Sequence, residues 1–175
     1  FIYDAVLNRQ NRELLDERAS PKAVDLDGFD LLVGGGAMII DGRDPDEFAR
    51  GHFAGSINVG LSGRYAEFAG SVVPSDVDIL LVVGDGFETE AKNRLGRIGF
   101  DRVIGFLEQP LAVMAAHPDR AERASRLNAA EFSKQRDGIE GLQLVDIRNP
   151  GELEHGSIEG AVTIPVGQLP VRSSE

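Results

Sequence analysis

The sequence predicts an α/β protein built on a parallel sheet, and three observations lead to this prediction. Residues 79–83 form a continuous apolar, β-branched segment, which is typical of a buried parallel strand. Residues 88–98 place Ala91, Leu95 and Ile98 on one face of a helix. Residues 38–58 recur in modified form further along the chain. Together these features predict one complete α/β domain and part of a second copy.

The first copy alternates helices and strands. Pro45 favours the first turn of a helix, and Asp46 and Glu47 suit its positive end. Gly99 is a stop signal for the helix that precedes it. The predicted helices are residues 25–32, 45–50, 65–69 and 88–98, and the predicted strands are 38–41, 55–59, 79–83 and 103–106. This order favours a parallel sheet with helices on its faces.

The repeat has a constant offset, since Asp146 lies 105 residues after Asp41 with no gap in the aligned stretch. Six identical pairs share this offset: Asp41/Asp146, Arg43/Arg148, Pro45/Pro150, Glu47/Glu152, Gly51/Gly156 and Gly55/Gly160. The second copy has a helix at residues 129–134, capped by Asn128, and strands at 144–146 and 161–164. It lacks counterparts of residues 79–106. We therefore predict four parts: the tail of an upstream domain (1–22), a complete domain (23–118), a linker (119–126) and the N-terminal half of a second domain (127–175).

Composition excludes several classes of function. The chain of 175 residues has a net charge of −11, which disfavours nucleic acid and anionic membranes as partners. It contains no Cys, which excludes disulfides, thiolate metal sites and a thiol nucleophile. The three His residues are widely separated and predict no metal site, so we expect no cofactor in this chain.

The pattern from Asp41 to Asn58, which includes Arg43, Pro45 and the Gly51-His52 pair, resembles the first signature of rhodanese-like domains. Residues 95–108 resemble the last helix and strand of the same family. The resemblance implies a five-stranded parallel sheet flanked by helices, with a partial second copy of it. The resemblance also favours a cytoplasmic localisation of the protein.

Residues 1–9 resemble a segment that leaves a metallo-β-lactamase-fold domain in rhodanese fusions, such as persulfide dioxygenases and glyoxalase-II-like hydrolases. That resemblance implies a metal only in the upstream domain. It makes this metallohydrolase domain the expected partner.

Active rhodaneses carry a Cys at the end of a strand, and backbone amides of the following loop surround its sulfur. Here the nucleophile position corresponds to Gly84, and the equivalent loop is Gly84, Asp85, Gly86, Phe87, Glu88 and Thr89. Acidic side chains in and after this loop disfavour thiosulfate-like or persulfide anions. We interpret the loop as a degenerate active site, with Thr89 as a helix cap.

Five further residues are interpreted as anchors of the fold with no catalytic role. These motif anchors are Asp41, Arg43, His52, Asp146 and Arg148. The Asp-x-Arg pair is expected to tie the end of a strand to the following helix, and it recurs in a copy that is incomplete. His52 is expected to hydrogen-bond the turn before the next strand.

The main hypothesis is a catalytically inactive rhodanese homology module that is a structural or docking part of a sulfur-metabolism fusion. One alternative is a sulfurtransferase-like or hydrolytic enzyme whose Cys lies in the other half of the second copy. Further alternatives are a Cys-free active site at the loop, and binding of a small cation or a basic peptide by its acidic residues. The half module also suggests a homodimer that completes it.

Overall fold

The computed structural model describes residues 16–172, which form two units. Unit 1 ends at Ser125 and unit 2 begins at Arg126. Residues 1–9, on which the expected fusion rests, lie outside the described residues.

Unit 1 is built on a five-stranded, all-parallel sheet with strand order β1-β6-β5-β2-β4. Its strands are β1 (Ala23–Val24), β2 (Met38–Asp41), β4 (Ile57–Asn58), β5 (Ile79–Val82) and β6 (Val103–Leu107). The predicted α/β fold class is confirmed. Strand β1 was not predicted individually, because two residues are too short to show a periodic pattern.

The described part of unit 1 contains five α-helices: α1 (Leu26–Gly34), α2 (Pro45–Arg50), α3 (Tyr65–Val72), α4 (Glu88–Gly96) and α5 (Pro110–Ala116). The Asp25 side chain caps α1 by accepting from the Gly28 N–H at 2.9 Å. Helix α4 ends two residues before the predicted position, and Gly99 follows in a left-handed conformation with φ of 92°. Helix α5 was not predicted.

Side chains of β5 alternate between the two faces of the sheet and form the centre of both cores. Ile79 and Leu81 pack in a cluster with side chains of α3 and α4, including Tyr65 and Leu95. Leu80 and Val82 pack in the opposite cluster with residues such as Phe29 and Met114. This strand is therefore buried on both sides, as its apolar sequence predicts.

A two-stranded antiparallel ribbon joins β3 (His52–Phe53) to β7 (Ala121–Glu122). The sequence predicts a linker over residues 119–126, whereas two of these residues form β7. Ala and Glu have little preference for strands, so this pairing comes from tertiary contact and leaves no signal in the sequence.

Unit 2 contains α6 (Ala129–Gln135), β8 (Val145–Asp146), β9 (Val162–Thr163) and α7 (Leu169–Arg172). Asn128 and Glu131 form a capping box at the start of α6. Strands β8 and β9 pair in parallel as a two-stranded sheet. Over residues 16–172, no helix combines the length and the apolar character needed to cross a membrane.

Candidate functional site

The candidate site of unit 1 lies where β2, β5 and β6 end, at the carboxyl edge of the parallel sheet. Two clefts, of about 400 and 340 Å³, share Arg43, Glu47 and Gly84 in their walls. The first is also lined by Leu61 and Phe87, and the second by residues that follow β6. The sheet thus brings the predicted loop together with the first Asp-x-Arg motif.

The loop after β5 forms a tight turn. The Phe87 N–H donates to the Gly84 carbonyl oxygen at 3.1 Å, and Gly86 has a φ of 85°, which favours glycine. Phe87 occupies the N-cap position of α4 and provides no side-chain hydrogen bond. The prediction that Thr89 caps the helix is wrong, because α4 begins at Glu88 and Thr89 already lies in its first turn.

Gly84, the residue expected to correspond to the nucleophile position, has room for a side chain. A Cβ atom built there would meet only the Phe87 Cδ2 atom, at 3.5 Å, which is an ordinary van der Waals contact. The backbone therefore does not require glycine at this position.

Asp41 and Arg43 form a buried ion pair at the end of β2, with side chains 0% and 2% exposed. The Arg43 Nη2 atom lies 2.5 Å from Asp41 Oδ2 and donates to the Gly51 carbonyl oxygen at 2.8 Å. Asn58 adds hydrogen bonds to the carbonyl oxygens of both residues. The motif thus ties β2 to the end of α2 and to β4.

Unit 2 repeats this arrangement. Arg148 Nη2 lies 2.6 Å from Asp146 Oδ2 and donates to the Gly156 carbonyl oxygen at 3.0 Å. Hydrogen bonds from Arg148 lower the pKa of the Asp146 carboxyl group, and the same contacts raise the pKa of Arg148. The second pair is more exposed than the first.

His52 lies in β3, outside the walls of the two clefts. Its Nδ1 atom is 2.9 Å from the Phe48 carbonyl oxygen, and its ring stacks on the Phe48 ring with centroids 3.8 Å apart. The Nε2 atom faces the Glu122 carboxylate of β7 at 3.9 Å. These contacts hold α2 and the ribbon together.

Two cleft residues were missed as site candidates. Glu47 lines both clefts, and its carboxylate has no hydrogen-bond or ion-pair partner within residues 16–172. Glu152, the equivalent residue in the second copy, instead accepts from the Asn149 N–H in a capping box. The two glutamates therefore have different roles, although the sequence around them is shared. Gln109 follows β6 with a φ of 47°, a left-handed conformation that the sequence gives no sign of.

Carboxylates dominate the charge around the clefts. Asp44, Glu47 and Glu90 line the first cleft, and Asp85 lines the second. Arg43 is paired with Asp41, and Arg94 forms an ion pair with Glu90 at 3.4 Å and donates to the carbonyl oxygens of residues 61 and 63. An anion entering the site would therefore meet the carboxylates of Asp44, Glu47 and Asp85, for which the described residues provide no ion-pair partner. In the described part of the chain, no group of three or more His, Asp or Glu residues is arranged to hold a metal ion.

Comparison with protein families identifies the fold. The family model of the rhodanese-like domain matches residues 26–109. The chain therefore contains a rhodanese-like domain, and the resemblance on which the sequence analysis relied is confirmed over these residues. No curated protein matches the chain in sequence.

Solved structures agree in fold. A crystal structure of a protein from Anabaena sp. is 21% identical, with 65% of this chain and 93% of that chain covered, and has a TM-score of 0.51. The solution structure of a rhodanese-like domain from Anabaena sp. is 22% identical, covers 75% and 96%, and has a TM-score of 0.50. A variant of EanB in complex with hercynine is 17% identical, covers 87% and 42%, and has a TM-score of 0.53. At these identities the likeness concerns the fold alone.

Proposed function

We propose that the rhodanese-like domain of residues 26–109 is catalytically inactive and acts as a structural or docking module within a larger sulfur-metabolism protein. One observation carries this proposal: the chain of 175 residues contains no Cys, and Gly84 is the residue that the resemblance assigns to the position of the sulfur nucleophile. Sulfane-sulfur transfer through a protein persulfide requires a thiolate. No other side chain in this loop supplies one.

The charge of the clefts supports the same proposal. Thiosulfate-like and persulfide donors are anions, and their binding requires positive potential at the loop. The N-terminus of α4 provides a partial positive charge, but Glu88 and Glu90 lie in its first turn and offset it. The missing nucleophile and the missing positive potential are independent features of the loop. Each of them disfavours sulfur transfer.

A docking role is supported by contacts of α4 with the segment that leads into the domain. Lys92 donates to the carbonyl oxygens of Asp16 and Ala19, and Asn93 donates to that of Glu17 at 2.8 Å. Arg97 forms an ion pair with the Glu17 carboxylate at 3.1 Å. The helix that begins at the degenerate loop thus binds a preceding segment of the chain.

Unit 2 is proposed to be the N-terminal half of a second rhodanese-like domain, whose pair Asp146–Arg148 repeats the anchor of the first. The alternative enzyme hypothesis places an active Cys in the other half of that second domain. Under both hypotheses residues 26–109 have no turnover of their own.

The experiment that tests the proposal is sulfur transfer from thiosulfate to cyanide by the 175-residue chain. We expect the rate to equal that of the reaction without protein, because no residue can carry the sulfur. The variant Gly84→Cys, which fits the available space, tests whether the nucleophile alone is missing. We expect it to stay below one tenth of the rate of an active rhodanese assayed in parallel, and turnover by the unmodified chain would refute the proposal.

A further inference from the structure

Unit 2 reproduces one side of the sheet of unit 1 residue for residue. In β2 and β4, Ile40 lies opposite Ile57, and in β8 and β9, Val145 lies opposite Val162, with the same offset of 105 residues at both positions. The backbone hydrogen bond from the Val59 N–H to the Asp41 carbonyl oxygen also recurs, from Ile164 to Asp146 at 3.0 Å. Strand β8 is therefore the structural equivalent of β2.

The other edge of β8 has no counterpart of β5. In unit 1, the N–H groups of Met38 and Gly42 donate to the carbonyl oxygens of residues 78 and 82, both at 2.8 Å. The equivalent donors in unit 2 are the N–H groups of Gln143 and Ile147. Neither has a backbone acceptor among the described residues. We call this side of the strand the open edge of β8.

Aliphatic side chains along the open edge are exposed where their equivalents in unit 1 are buried. Val145 is 40% exposed, whereas Ile40, its equivalent, is 0% exposed. Ile147 and Ile158 are also exposed, and they line a groove of about 540 Å³ beside β8. An edge with unpaired donors and an apolar groove is a template for an added strand.

We propose that the open edge of β8 binds an aliphatic strand that runs parallel to it, in the position that β5 holds beside β2. This inference rests on the proposed partial second copy and goes beyond it by stating what the edge binds. The occupant is a strand of the remaining half of that second domain. It accepts hydrogen bonds from the N–H groups of Gln143 and Ile147 and covers Val145.

The structure also specifies one side chain of the occupant. At Gly42 an added Cβ would lie 2.9 Å from the Val83 Cγ1 atom and 3.3 Å from two side-chain atoms of Leu61, so Val83 in its present position packs against a residue without a side chain. The equivalent position in unit 2 is Ile147, whose side chain needs that space. The occupant therefore carries a residue smaller than valine at the position equivalent to Val83.

The test is a titration of the full 175-residue chain with synthetic peptides, read out by amide hydrogen exchange of unit 2. The probe has the sequence of residues 75–85 with Val83→Ala, because β5 is the strand that covers the equivalent edge. We expect exchange at Gln143 and Ile147 to slow at least about tenfold at saturation. The peptide with unchanged Val83 should bind at least about threefold more weakly.

A peptide with the additional change Leu80→Pro is the matched control, because even-numbered residues of β5 hydrogen-bond toward β2 while the Ile79 N–H donates to residue 102 on the other side. Proline at position 80 therefore removes a backbone donor that faces the open edge, without altering the protein. Equal binding of this control, or no protection by the probe at millimolar concentration, would overturn the proposal. A dimer whose open edge is already protected without peptide would also overturn it, since a second copy would then be the occupant. Because none of these outcomes involves sulfur transfer, they are distinct from failure of the proposed function.

Discussion

At the scale of single residues, the Asp-x-Arg motif appears in two environments within one chain. Asp41 and Arg43 are buried, while the side chain of Arg148 is 40% exposed. The hydrogen bonds are the same in both units, including the one to a carbonyl oxygen eight residues after the arginine. A comparison of the two motifs therefore measures the effect of burial on the same ion pair within one chain.

The first prediction compares the two arginines. Arg43→Ala leaves the Asp41 carboxylate buried and unpaired, and we expect a loss of about 3 kcal/mol in the free energy of unfolding of unit 1. The Asp146 side chain is 10% exposed and its partner Arg148 is 40% exposed. Arg148→Ala therefore opens the Asp146 carboxylate to water, and its effect on unit 2 should be smaller. Residue-resolved hydrogen exchange measures both. Equal losses in the two units would show that burial does not decide the contribution of the motif.

The second prediction concerns the pH dependence of the Asp146 carboxyl group. Arg148 lowers its pKa in the folded protein, so the pair stabilises unit 2 at pH values above the ordinary pKa of Asp. This stabilisation is lost as the pH falls through the lowered pKa. NMR titration of the Asp146 carboxyl carbon should give a midpoint below about 3.9, and Arg148→Gln should raise it toward that value. An unchanged midpoint in Arg148→Gln would contradict the assigned cause.

At the scale of elements, the sequence predicted the parts of unit 1 that have strong local signals. The strand that ends at Val82 is continuous and apolar, and α2 begins at Pro45 with acidic residues beside it, so both were predicted correctly. β1 and β7 have two residues each, and tertiary pairing alone defines them. The positions of Glu47 and Gln109 in the clefts depend on how β2 and β6 end at the same edge of the sheet, on either side of β5, and no local pattern encodes this.

The third prediction tests the contact between α4 and the segment before the domain. In the double variant Lys92→Ala and Asn93→Ala, the carbonyl oxygens of residues 16, 17 and 19 lose these side-chain donors. We expect amide exchange of residues 17–20 to rise at least about tenfold, while exchange in β5 stays unchanged. Arg102→Ala is a matched control, because this exposed arginine pairs with Asp78 away from the segment. Equal effects of the double variant and the control would argue against docking on α4.

At the scale of the whole molecule, the two units differ in how completely the sheet is formed. Unit 1 has five strands with side chains packed on both faces, and unit 2 has two strands with exposed aliphatic residues. Among the described residues, the rhodanese-like fold is formed by unit 1, whose loop contains no Cys. The central claim is that this loop no longer supports sulfur chemistry, in its electrostatics as well as in its missing thiol.

The most direct test is the thiol pKa of the variant Gly84→Cys, obtained from the pH dependence of its alkylation. The chain has no other Cys, so the reaction reports this site alone. Ser133→Cys in α6 provides an exposed reference thiol. We predict a pKa at or above about 8.5, because Asp85, Glu88 and Glu90 offset the stabilisation of a thiolate by the helix N-terminus. A pKa below about 7 would show that the loop still stabilises a thiolate and would contradict the account.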